Sequence, residues 1–238
     1  MADNFIEISN GIENLDRVIV RTLIKSAIDS NLSIFQGKMI DIGCGKMPYK
    51  KYILENSQLK QYDGLDIASA IVYDNQVRPD YEWDGVTMPF GDELYDCAVA
   101  TEVLEHCPDP EIILKETYRI LKPGGKLFFT VPFLWNLHET PHDQYRYTPF
   151  ALKRHFENSG FSVLEMKATG GWHASLAMML GLWVRRSPMS KRRKNFLSYF
   201  IRPIMFMLFK KDKKDVVKFT EGQMITGLYG VIQKPLAS

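Results

Sequence analysis

The stretch DIGCGKMPYK, Asp41 to Lys50, decides the fold. Gly37 breaks the helical pattern that precedes it, and Lys38-Met39-Ile40 supplies the short apolar entry of a buried strand. The strand then ends in an acid, Asp41, and two glycines, Gly43 and Gly45, whose missing Cβ atoms let backbone approach a ligand. Strand, glycine turn, helix is the expected local order, which reads as a loop for a nucleotide-type cofactor. Glycine pairs also serve tight turns for steric reasons alone, and the third glycine of the dinucleotide fingerprint is absent. The next segment gives the pair its weight. QYDGLDI, Gln61 to Ile67, reads as a second strand ending in Asp66, about 20 residues past the glycines, where an acid binds both ribose hydroxyls.

Working outward, Leu15, Val18, Ile19, Leu23, Ala27 and Ile28 recur at three- and four-residue spacing and predict an amphipathic helix ahead of the first strand. A helix is expected after Pro48, a residue suited to a first turn, and strands near Tyr81 to Trp83, Tyr95 to Ala100 and Gly125 to Val131. Strands alternating with helical runs argue for a parallel sheet covered on both faces. Ligands sit at the carboxyl ends of such strands, and Asp41, Asp66, Asp84 and Glu102 all fall at those ends.

With four further landmarks in order, the chain resembles the class I S-adenosylmethionine-dependent methyltransferases, in a type 11-like form. DIGCG resembles their first motif and LDI their second-strand acid. WDGVTMPFGDELYDCAVATEVLEHCPDP, Trp83 to Pro110, is similar to their adenine-contacting acid, fourth strand and EVLEH ending. RILKPGGKLFFTVP, Arg119 to Pro132, is similar to the helix, glycine turn and fifth strand that follow. The resemblance spans about residues 37 to 170. It implies an α/β fold: a doubly wound, mostly parallel seven-stranded sheet with a helical insertion before the last strand. It also implies S-adenosylmethionine as cofactor. Gly43 and Gly45 would admit its methionine part and Asp66 would hold ribose. Asp84, with Gly85 beside it, would receive the adenine amino group. Asp41, Cys44, Ile67 and Glu102 complete the implied cofactor set, and carboxylates suit a positive sulfonium. Asp84 also reads simply as a turn residue before Gly85. Lys46-Met47-Pro48-Tyr49 departs from the family's continuing glycine pattern, and Pro48 lacks an amide donor.

At 238 residues, 45% hydrophobic and 24% charged, the chain suits one core with appendages. The expected divisions are an N-terminal helical cap (1–36), a cofactor-binding core (37–170), a basic and apolar helical insertion (171–219) and a final strand (220–238). Three cysteines, Cys44, Cys97 and Cys107, do not make a disulfide framework, so a reducing cytoplasm is expected. MADNFIEISNGIENLD lacks the basic-then-apolar order of a secretion signal.

Methyl transfer to a hydroxyl needs close alignment and a proton acceptor. LHETPHDQYRYT, Leu137 to Thr148, reads as a loop over the cofactor cleft that brings two histidines, aromatics and an arginine. The expected catalytic set is His142, Asp143 and His106, with a merely structural Asp143 to Arg146 contact as the alternative. Glu102, Glu105 and His106 form ExxEH, which resembles the metal-binding pattern of the RNA-end 2′-O-methyltransferases. There, His142 or His138 would complete the site, with Asp143 as an oxygen ligand and magnesium or zinc as the metal. EHxPDP also occurs in metal-free relatives, where the histidine simply follows the fourth strand, so the metal stays open.

From Arg185 to Lys218 the chain carries twelve Lys or Arg and two Asp, a net +10 in a protein of total +2. GWHASLAMMLGLWV and NFLSYFIRPIMFMLF flank the cluster RRSPMSKRRK; neither is long enough to span a bilayer, and Arg202-Pro203 interrupts the second. Three readings stand for residues 172–218: a helical insertion shaping the acceptor pocket, attachment to an anionic membrane surface, or RNA binding. MITGLYGVIQ, Met224 to Gln233, reads as an antiparallel last strand at the sheet edge. The acceptor expected overall is a hydroxyl of a small molecule, sugar or glycan. An RNA methyltransferase with a Glu/Glu/His/His metal site and a non-catalytic cofactor-binding subunit are the alternatives.

Overall fold

The computed structural model describes residues 5–68, 78–212 and 217–236. Its centre is a seven-stranded sheet: β1 (Gln36–Ile42), β2 (Gln58–Ile67), β3 (Tyr81–Trp83), β4 (Tyr95–Thr101), β5 (Leu121–Pro132), β6 (Ser162–Ala168) and β7 (Gly227–Gln233). The order is β3-β2-β1-β4-β5-β7-β6. β1 to β5 run parallel, and β7 inserts antiparallel between β5 and β6. The order reverses between β1 and β4, which places the ligand crevice beyond the carboxyl ends of those two strands.

Period-two alternation buries both faces of the sheet. Ile40, Ala98 and Phe129 point to one side, where Ile113, Leu114 and Ile120 of α3 (Pro110–Ile120) and Leu152 and Phe156 of α4 (Pro149–Asn158) pack. Their neighbours Met39, Cys97, Val99 and Phe128 point to the other, against Ile24, Ala27 and Ile28 of α1 (Val18–Asp29) and Ile53 of α2 (Lys50–Asn56). Burying each such aliphatic or aromatic side chain contributes about 1.5–3 kcal/mol. All six residues that predicted the first helix or its entry are buried, and α1 takes the role of a sheet-covering helix. Local signals start α3 and α4 in the same way. Asp109 accepts from Glu111 N at 3.0 Å ahead of Pro110, and Thr148 accepts from Ala151 N at 3.2 Å ahead of Pro149.

α5 (Trp172–Arg186) and α6 (Lys191–Lys211) form the insertion between β6 and β7. Ala177, Met178, Leu182 and Met205 join Leu15, Val18, Ile19 and Leu23, with Leu134 and Trp135 from the loop after β5 against the same cluster. The hairpin therefore rests on α1 and on the base of the Leu137 to Thr148 loop, the expected acceptor loop. Gly181 is required there, because a Cβ would overlap the Leu15 carbonyl.

Two local expectations need correction. KPGG is no simple turn before β5: the strand begins at Leu121, and its pairing with β4 jumps from Tyr95↔Leu121 to Cys97↔Lys126, so the glycines form an irregularity inside the ladder. A helix follows Pro48 as expected, with the first turn of α2 beginning at Lys50. Pro203 does not interrupt α6, which continues through it to Lys211. Its ring sits on an exposed face, and Tyr199, the residue whose carbonyl loses a donor, is itself 69% exposed, so water can serve that group.

Candidate active site

The loop after β1 is built for close approach. Gly43 has φ +65°, and a Cβ there would stand 2.7 Å from Val103 Cγ2; Gly45 has φ +49°. Cys44 N donates to Leu65 O at 3.1 Å and Met47 N to Cys44 O at 2.7 Å, which closes the turn and ties it to β2. Gly45 N donates to Asp66 Oδ2 and Ile67 N to Asp66 Oδ1, each at 2.9 Å. Burial raises the Asp66 carboxyl, and these two amides oppose the rise. Each oxygen keeps a second lone pair, so the carboxylate can still accept two ribose hydroxyls. Ile67, 40% exposed, offers an apolar surface beside it. An S-adenosyl group fits this donor and acceptor set.

The other cofactor candidates occupy different places. Asp41 is 3% exposed and accepts from the Tyr62 hydroxyl at 2.5 Å, and burial pushes its carboxyl up to about 7. It therefore supports the loop from beneath, and Cys44 is buried with it. Asp84 is exposed; its Oδ1 accepts from Val86 N at 2.8 Å and Thr87 N at 2.9 Å, which holds it below the usual carboxylate range. That is the turn role, with Gly85 at φ +84° and open space beside it. Glu102, at φ +56°, turns sideways: its amide donates to Thr130 O at 3.0 Å and its Oε1 accepts from Thr130 Oγ1 at 2.7 Å. Its burial raises the carboxyl to about 7.

The segment between β5 and α4 clips onto the turn that follows β4. Gln144 N and Tyr145 N donate to Glu105 O at 2.8 and 3.1 Å, and the Tyr147 hydroxyl donates to Leu104 O at 2.9 Å. Arg146 grips Asp143 with both arms of its guanidinium, at 2.6 and 2.8 Å. The Asp143 side chain is 1% exposed, and Arg146 holds its carboxyl at about 2. Asp143 is thus a structural anchor and not a base, correcting the expectation for it. His142 is exposed, and no side-chain hydrogen bond to its ring is found among the described residues; its carbonyl lies 3.2 Å from His106 Nδ1.

His106 stands at the centre. A carbonyl can only accept, so Nδ1 donates to His142 O and the ring is held with Nε2 on its far side. Nε2 lies 3.7 Å from both Glu105 Oε1 and Glu139 Oε2. The His138 ring meets His106 edge-on at 4.8 Å, and burial lowers the His138 pKa. Glu105 is fully buried, burial drives its carboxyl well upward, and neither oxygen finds a hydrogen-bond partner among the described residues. One ligand atom each from Glu105, His106 and His138 lies within 4.8 Å of the others. Of the ExxEH pattern, then, Glu105 and His106 converge with His138, while Glu102 is committed to Thr130 and His142 contributes its backbone. Glu139 was not singled out by the sequence. Its charge acts on Asp66, so the loop lies near that carboxyl. A lone hydroxyl in the apolar run LFFTVP was the signal for Thr130.

A family model described as "Methyltransferase domain" matches residues 40–129. The ubiquinone biosynthesis O-methyltransferase of Pseudomonas entomophila is 30% identical over 115 residues, covering 43% of this chain and 47% of the relative. The chain thus spans about half the length of the curated relatives it matches. Among solved structures, a putative methyltransferase of Haloferax volcanii, in complex with its activator, superposes with TM-score 0.60 at 18% identity over 95% of each chain. The phosphoethanolamine N-methyltransferase 2 of Haemonchus contortus, bound to S-adenosyl-L-methionine, gives 0.52 at 16% identity over 94% of this chain and 60% of that one. The second carries S-adenosylmethionine on the same fold, and the first shows that fold along nearly the whole chain. Residues 40–129 of this chain are thus similar to a methyltransferase domain, and the sheet built around them has the fold of S-adenosylmethionine-dependent methyltransferases.

Proposed function

We propose that the chain methylates a hydroxyl of a small molecule, sugar or glycan, with His106 as the proton acceptor. The observation that carries this is the fixed ring of His106: Nδ1 donates to the His142 carbonyl, which directs Nε2 to the two carboxylates of Glu105 and Glu139, the position from which it can take up and pass on a proton. S-adenosylmethionine supplies the methyl group on a positive sulfonium. Asp66 and the glycine loop would hold its ribose and methionine ends, and His106 Nε2, faced by Glu139 and Glu105, would take the acceptor's proton as the oxygen–carbon bond forms and the methyl–sulfur bond breaks to leave a neutral thioether. The names of the curated relatives support an oxygen acceptor. His106→Gln should leave S-adenosylmethionine affinity unchanged and lower turnover about 10²- to 10⁴-fold, the usual worth of a positioned base. Retained turnover, or methyl label found only on amines in a mixed acceptor panel, would defeat the reading.

A second reading has its own observation. The buried Glu105 carboxyl lacks a hydrogen-bond partner among the described residues, and a divalent cation held with His106 and His138 would satisfy it. Such a cation would activate the acceptor hydroxyl directly, as the alternative of a metal-assisted RNA methyltransferase requires. Protein stripped of metal should then bind zinc or magnesium in a titration that Glu105→Gln abolishes; no heat of binding and no effect of chelator on turnover would remove it.

A further inference from the structure

The forty residues from Trp172 to Lys211 contain nine Lys or Arg and no Asp or Glu. They fold into α5 and α6, and each helix leaves an apolar stripe in solvent. On α5, Trp172, Leu176, Met179 and Trp183 are 59%, 51%, 46% and 48% exposed at spacings of four, three and four. On α6, Phe196, Phe200, Ile204 and Met207 are 63%, 60%, 44% and 50% exposed at similar spacing, with Tyr199 beside them at 69%. These spacings put each set along one side of its helix. The inner faces are already used on α1 and the acceptor loop, so the stripes are not part of the core.

The cations are arranged to match. Arg192 and Arg193 precede Phe196 by about one turn, and Lys210 and Lys211 follow Met207 by about one turn. They therefore stand at both ends of the α6 stripe, on the same side of the helix, and none of the four makes an ion pair among the described residues. Apolar in the middle and cationic at both ends is the pattern of a helix lying in the plane of a lipid interface, where Trp and Phe enter the acyl boundary and Lys and Arg meet the headgroups. Among the described residues no helix is long and apolar enough to cross a membrane, which agrees with lying on it.

We propose that the outer face of the α5–α6 hairpin docks on an anionic lipid bilayer. The complete lack of carboxylates over forty residues selects an anionic surface. Aliphatic Leu176, Met179, Ile204 and Met207 lie within the aromatic stripes, and they suit acyl chains better than stacked bases. Docking there would hold the loop that starts at Leu134 and Trp135, which shares the hairpin's packing, next to the membrane plane. The inference is independent of which atom is methylated.

The test is flotation of the whole protein with phosphatidylcholine vesicles, with and without about one-third phosphatidylglycerol. The protein should float with the anionic vesicles and stay behind with the neutral ones, and the Trp172 and Trp183 emission should shift to the blue. F196S/F200S should weaken partition about tenfold while S-adenosylmethionine binding is retained, because both side chains are exposed and distant in sequence from the cofactor loop. R192Q/R193Q should weaken it several-fold and reduce its salt dependence. Equal partition onto both vesicle types overturns the proposal, as does unaltered binding by F196S/F200S. So does a wild-type dimer that F196S/F200S converts to monomer, or binding to single-stranded RNA at matched salt that vesicles do not displace.

Discussion

Asp41 offers a prediction whose sign and size follow from its surroundings. The carboxyl lies under the glycine loop at 3% exposure, and its pKa rises from 3.8 to about 7. Loss of hydration causes the rise, Tyr62 opposes it with a hydroxyl donated at 2.5 Å, and the charge of Asp66 adds to it. An acid whose folded pKa exceeds its unfolded one binds more protons in the native state. Stability is therefore greatest below 3.8, falls as pH rises between 3.8 and about 7, and is flat beyond. At about 1.4 kcal/mol per unit, the loss between pH 5.5 and 8 is about 2 kcal/mol. Asp41→Asn keeps an acceptor for Tyr62 and cannot ionise, so it escapes that loss. Urea melts of the cofactor-free protein at pH 5.5 and 8 should show the variant gaining about 2 kcal/mol on the wild type across the interval. Glu102 and Glu105 titrate in both proteins and cancel in the difference. A difference that stays constant with pH would refute the buried-acid reasoning.

Two other perturbations probe the site's frame. Arg146→Gln removes both guanidinium donors from the buried Asp143 carboxylate, leaving it the His138 amide, and should cost about 3 kcal/mol in urea melts. Turnover should fall with it while S-adenosylmethionine affinity holds; a variant as stable as wild type would deny the anchor its role. Gly43→Ala forces φ +65° on a residue with a Cβ and presses it to 2.7 Å from Val103. A loss of about 1–2 kcal/mol from the backbone alone is expected, with weaker cofactor binding. Adding Val103→Ala should return the steric part of the loss and not the backbone part, as thermal melts of the three proteins would show.

The strands and the first helix were legible because their causes are local and periodic. Tyr81 to Trp83 and the Leu15 to Ile28 pattern appear in the structure as read. KPGG misled because a glycine pair permits both a turn and an irregular ladder, and only pairing with β4 and the nearby Lys234 backbone decides between them. The acids at strand ends were found as a group, but their roles depend on neighbours far along the chain. Tyr62 pulls Asp41 beneath the loop, Thr130 turns Glu102 aside, and Val86 with Thr87 commits an oxygen of Asp84. In the acceptor loop, the spacing of Asp143 and Arg146 disclosed their ion pair. The place of His106 beneath the His142 carbonyl needed the loop to fold over β4, which no spacing predicts.

Asp66 is the carboxylate proposed to receive the ribose of the methyl donor, and every other role in the cleft depends on that placement. Isothermal titration of S-adenosylmethionine into wild type and Asp66→Ala measures this without any knowledge of the acceptor. The two lost charge-assisted hydrogen bonds predict an affinity lower by at least about tenfold in the variant, with the urea midpoint of the folded protein retained. Equal affinity in a folded Asp66→Ala protein would contradict the placement of the cofactor in this cleft.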